Sequence, residues 1–304
     1  MTLPTQLAAD TFGSGANQFD VDFVPTGNPG NPADTTGAPN PAGSVPYRYR
    51  MGTYEVSRDM ITKANNAGSL GITMADMTSY GGNGANRPAT GVSWYEAAAL
   101  VNWLNASTGH QPAYNLSGAS LSLWPSGDAW QAGGQNLFRH KDAYYFLPSE
   151  NEWYKAAYYS PGGVYYDYPT GRSELPVAVA SGTTPGTAVF EQPLPQGPAD
   201  IANAGGLSPY GTMGQGGNVW EWQESAFDGV NDSTVEGRGV RGAGWDASAY
   251  FVGSYNRLSP ALGPSDEWNG LGFRVAAVPE PSPGALVAVG LGACWLLRRR
   301  RGSL

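Results

Sequence analysis

The sequence predicts an α+β domain that is loop-rich, with many short strands and few helices. Forty-three glycines and 24 prolines among 304 residues interrupt the chain too often for long elements. Only three stretches join a serine cap to a helical pattern, and the strand-like runs are all short. Aromatic residues make up 12%, with 10 Trp and 17 Tyr, enough to build a core and to exclude a disordered chain.

FDVDFV at 19–24 alternates apolar and acidic residues, as a strand with one buried face does. A Gly/Pro/Asn/Thr-rich loop follows, PTGNPGNPADTTGAPNPAGSV, and then YRYRMGTYEVS. Ser57 caps a helix through Met60, Ile61 and Ala64 that stops near Gly68. Ser93 and Glu96 form a capping box ahead of WYEAAALVNWLN, where Ala97, Leu100, Val101 and Leu104 recur at helical spacing. Ser149 and Glu152 repeat the box ahead of WYKAAYYS. From about 160 to 278 the chain is Gly-rich, with the strand-like runs TAVF, GNVWEW, RGVRGAGW and LGFRVAAV.

GGNVWEW at 216–222 is the densest of these runs. Gly216, Gly217 and Asn218 tolerate left-handed backbone and predict a tight turn that feeds a strand. Two readings stay open for it. Trp220 and Trp222 serve only to pack a core strand, or carbonyls at the turn and the Glu221 carboxylate hold a hard cation.

Charge narrows the function. The net charge is −8, but four of the 17 basic residues are the run Arg298, Arg299, Arg300 and Arg301. The other 13 face 25 acidic residues, so the domain repels phosphate backbones and nucleic acid is not an expected partner. The single cysteine, Cys294, forms no disulfide within the chain and no cysteine zinc site. His110 and His140 lack metal-ligand spacing and are expected on the surface or in loops. No GxSxG elbow presents a serine nucleophile, and Asp266 with Glu267 reads as a solvated turn.

The two ends point to export. Residues 283–297 are uncharged and mostly apolar, and four arginines follow at once, which reads as a C-terminal anchor with the arginines inside. Pro279, Glu280 and Pro281, the apolar stretch and Arg298 to Arg301 closely resemble the PEP-CTERM sorting tag. That resemblance implies an exosortase-type peptidase as partner, transient membrane anchoring through residues 283–297, and cell-surface or extracellular location. Residues 1–15 have neither a basic nor an apolar signal region, so a signal peptide is expected upstream of this start. The expected division is a lead at 1–19, a domain at 20–278 and a tag at 279–304.

Six segments in order carry a second resemblance: MGTYEVSRDMITKAN, PATGVSWYEAAALVNWLNASTG, FLPSENEWYKAAYY, YGTMGQGGNVWEW, RGVRGAGW and LGFRVA. Their succession resembles the formylglycine-generating enzyme/sulfatase-modifying-factor (FGE-sulfatase) family, whose fold is related to C-type lectins. The oxidase members of that family use a cysteine pair that binds copper and engages a substrate thiol. The matching positions here are Ala247 and Val252, and neither side chain does thiolate chemistry. No copper is therefore expected, and the expectation is a non-catalytic protein binding a glycan, peptide or matrix partner. The alternative is a formylglycine-generating or other oxidoreductase that uses a different site. The resemblance also implies a Ca²⁺ site from the Gly217 and Val219 carbonyls and Glu221, although Gly214 replaces its usual Asn or Asp. Arg274 is expected to pair with Glu221 or another core acid. The segment lining the substrate groove in relatives contributes Trp245, Tyr250, Phe251, Tyr255 and Trp268, the expected ligand surface.

Overall fold

The three expected helices form where the caps place them. The computed structural model describes residues 8–259 and 261–279. Helix α1 spans Arg58–Gly68, α2 Trp94–Ser107 and α3 Glu150–Tyr158. Each begins after a serine whose Oγ accepts the backbone N–H three residues on, at Met60, Glu96 and Glu152. Glu96 and Glu152 return the bond to the Ser93 and Ser149 N–H groups. A cap of this kind contributes about 1 kcal/mol.

The main sheet has five strands in antiparallel pairing. Strand β1 (Ala8–Phe12) pairs with β2 (Phe19–Thr26), β2 with β3 (Tyr49–Gly52), β3 with Ala276–Ala277, and that last pair of residues with Tyr145–Phe146. Strand β1 lies within the expected lead at 1–19, so part of that lead belongs to the fold. In the second sheet Trp220–Ala226 is central, antiparallel to Arg238–Arg241 and parallel to Leu271–Gly272.

The core is aromatic. Trp94, Trp153, Trp222 and Trp245 are all fully buried. Each removes roughly 150–250 Å² from water, an upper-bound gain of about 4–6 kcal/mol. Asn105 bolts α2 to the sheet: its Nδ2 donates to the Tyr145 carbonyl at 2.8 Å, and its Oδ1 accepts the Tyr144 and Tyr145 N–H groups. His110 is exposed and stacks on Tyr144, as a surface histidine does. His140, expected in the same kind of place, instead ends the strand Asn136–His140 and is buried against Trp124.

Among the described residues no helix is long and apolar enough to cross a membrane. Residues 283–297, Glu280, Pro281 and Arg298 to Arg301 lie outside them.

Candidate functional site

The 216–218 turn is bound on every side. Gly217 has φ +108°, and a Cβ there would lie 2.2 Å from the Val189 carbonyl oxygen, so only glycine fits. Asn218 is left-handed at φ 66° and fully buried. Its N–H donates to the Val189 carbonyl, its Oδ1 accepts the Ala199 N–H, its Nδ2 donates to Glu55, and its carbonyl accepts the Trp245 N–H. These bonds fix the entry to the strand Trp220–Ala226 and set Trp245 beside it.

Glu221 is closed by Arg274. The Arg274 guanidinium meets Glu221 Oε1 and Oε2 at 2.6 Å each, and the Trp153 Nε1–H donates to Oε2 at 2.7 Å. The remaining Arg274 donors reach the Gly52, Thr53 and Met213 carbonyls. Carboxylate and guanidinium are both fully buried. The sequence expectation for Arg274 as the partner of Glu221 therefore holds.

The same geometry does not fit the Ca²⁺ expected at Gly217, Val219 and Glu221. Both carboxylate oxygens already face a cation that the chain itself supplies, and a second cation would lie against Arg274. Nor is there room for a side-chain ligand at Gly214. Its φ is +76°, and a Cβ would sit 2.6 Å from Glu55 Oε1. Among the described residues no three His, Cys, Asp or Glu side chains are grouped to hold a metal ion.

Three further buried acids carry roles that the sequence reading missed. Arg139 bridges Glu152 and Glu224, with Nη1 and Nη2 on Glu152 at 3.0 and 2.8 Å and Nη2 on Glu224 at 2.7 Å. Its Nε bonds both Glu224 oxygens, while the Tyr47 and Tyr114 hydroxyls donate to Glu152 and Glu224 respectively. Glu55 has no such cation in contact. Its Oε2 is buried without a hydrogen-bond partner, and burial pushes its pKa up to about 8, an effect that Arg274 offsets in part and Glu221 reinforces. A glutamate in an otherwise uncharged run, as in GTYEVS, is the only trace of Glu55 in the sequence.

Above this core the expected ligand surface divides in two. Trp245 and Trp268 come together with Trp220, Asp246, Asn269 and Gly270 around a depression of about 260 Å³. Trp245 is only 1% exposed, and its Nε1–H is buried with no acceptor. Phe251 packs edge-on against Trp220 and joins this depression to a ridge of Tyr250 and Tyr255. Tyr250 is 62% exposed, and the Tyr255 hydroxyl lies 3.0 Å from that of Tyr168, a residue that no motif marks. Ala247 and Val252 lie in the same segment, the first partly buried and the second fully buried. Neither side chain carries a donor atom.

Comparison with known proteins gives the fold and the family. No curated protein sequence matches the chain. Among solved structures it resembles Treponema denticola variable protein 1, at 19% identity and a TM-score of 0.56, over 90% of this chain and all of that one. It resembles CarF at 18% identity and a TM-score of 0.59, over 86% and 99% of the two chains. The values for PvdO from Pseudomonas aeruginosa are 16% and 0.56, over 92% and 100%. At such identities the likeness is one of fold, which is loop-rich α+β in the manner the sequence predicts. Residues 21–278 match the sulfatase-modifying factor enzyme 1-like domain, and the chain belongs to this FGE-sulfatase family.

Proposed function

We propose that this protein is an exported, non-catalytic FGE-sulfatase family member that binds a glycan or peptide of a surface or matrix partner. The depression at Trp220, Trp245 and Trp268, with the Tyr250 and Tyr255 ridge, is the binding surface. One observation supports it above the others: Trp245 lines an open depression, and its buried indole N–H has no acceptor in the protein. Buried donors are nearly always paired, and a ligand oxygen would pair this one. Exposed Asp246 and partly exposed Asn269 would fix orientation, and the aromatic rings would supply contact area.

Ala247 and Val252 favour binding over oxidation, since neither binds copper nor forms a mixed disulfide. The acidic domain and the C-terminal Pro-Glu-Pro, apolar and arginine segments support the export reading. In it an exosortase-type peptidase acts on a protein held briefly in the membrane by residues 283–297. The protein then remains at the cell surface or in the extracellular matrix.

The test is binding of the full chain to glycan and peptide arrays, beside Trp268→Ala and Asp246→Ala. We expect binding that both variants weaken with folding intact by circular dichroism. Oxidation of a cysteine peptide to formylglycine by the wild type would overturn the non-catalytic reading.

A further inference from the structure

We propose a second ligand site, distinct from the aromatic depression, that takes a neutral saccharide ring. It is a cavity of about 340 Å³ between the 44–47 loop, the hairpin of Ala129–Trp130 with Asn136–His140, the start of α3 and the loop that ends at Asn231. Its volume falls in the range of small-molecule pockets, about 300–1,000 Å³.

The floor determines the charge of the ligand. Arg139 is the one charged residue lining the cavity, and Glu152 and Glu224 both close on it. One guanidinium against two carboxylates leaves no free positive charge for a phosphate or carboxylate ligand. The carboxylates are equally committed, to Arg139 and to the Tyr47 and Tyr114 hydroxyls, so an ammonium group finds no free anion. With both acids ionised the trio carries one net negative charge, but that charge is buried and fully hydrogen-bonded. The site is therefore polar and presents neither a free cation nor a free anion to a ligand.

The walls determine its shape. Trp130 and Tyr47 stand at 80° with ring centroids 5.2 Å apart, a corner of two aromatic surfaces against which the C–H face of a sugar packs. The Trp130 Nε1–H is buried and has no acceptor, although buried donors are nearly always paired. Around the rim the amides have unused halves. Gln135 donates its Nε2–H to Ser126 and keeps its carbonyl oxygen, while Asn151 accepts the Gly43 N–H and keeps its NH₂ group. A ligand whose every hydroxyl both donates and accepts complements such a rim. Gly133, at φ +81°, lets the hairpin turn close on Pro46, since a Cβ there would lie 3.3 Å from the proline ring.

The test is calorimetry and tryptophan fluorescence on the full chain with cellobiose, maltose, lactose and diacetylchitobiose, with glucuronic acid and glucosamine as charged comparators. At least one neutral disaccharide is expected to bind saturably. Trp130→Phe and Gln135→Ala should each weaken it about tenfold, and Val177→Ala, exposed and outside both sites, should leave it unchanged. No saturable neutral probe, equal binding of the charged sugars, or binding that survives both cavity variants would overturn the proposal. Loss in Trp268→Ala alone would also overturn it, and would assign the sugar to the aromatic depression instead.

Discussion

Glu221 and Glu224, three positions apart on one strand, are each closed by an arginine and at least one further donor, whereas the indole N–H of Trp245, beside that strand, has no partner at all. The two regions draw on the same residue types and differ in completeness. Below, acid, guanidinium, indole and phenol satisfy one another and hold sheets and helices together. Above, Asp246, Tyr250 and Tyr255 are exposed, the groups that the proposed function sets against a partner from outside. Buried Gln223, Arg238 and Arg241 also keep unpaired polar atoms, so what sets Trp245 apart is its place at an opening.

The sharpest way to break this contrast is Arg139→Met. It leaves two fully buried carboxylates without their shared cation, and removal of one member of a buried pair costs about 3–5 kcal/mol. The urea midpoint should fall accordingly, and adding Glu152→Gln and Glu224→Gln should recover part of the loss. A fall below about 1 kcal/mol would show that the lower region is not held as described.

Glu55 gives a smaller, pH-dependent effect, because no arginine closes on its carboxylate as one does on Glu221 and Glu224. Its folded pKa, about 8, stands above the ordinary 4.5, so the folded state holds the proton more tightly than the unfolded chain. That contribution is fully present below about pH 4.5 and is lost as pH rises through 8. Glu55→Gln should therefore flatten the decline of Tm between these limits and melt above the wild type at pH 8.5. A wild-type Tm that is flat across the window would contradict a protonated Glu55. The smallest expected effect is that of Ca²⁺. With Glu221 already paired, midpoints in Ca²⁺ and in EDTA should coincide, and a Ca²⁺-dependent rise would reopen the turn as a cation site.

What the sequence made legible was local. Each helix announced itself through a serine and the residue three positions on, because a cap is decided within one turn. The Gly217–Asn218 turn was legible for the same reason. Glu152 shows the limit. As a capping-box residue it already has a sufficient local role, so nothing in ENEW reveals that Arg139 also holds it across a buried interface. Arg139 and Glu224 are 85 residues apart, and no periodicity connects them. Trp245 was placed on the expected ligand surface by its segment, yet only the fold shows that the ring is buried and its N–H left without an acceptor. The cavity at Trp130 left no motif, since five separate segments build it.

The pairing of β3 with Ala276–Ala277 bears on when this chain can fold. Those two residues lie between β3 and Tyr145–Phe146, so the main sheet stays in two pieces until the last residues before the arginine-terminated tail have arrived. Contacts of such sequence separation form late. A chain threaded through a membrane pore from its amino end would thus remain unfinished, and still threadable, until residues 276 and 277 had passed the pore.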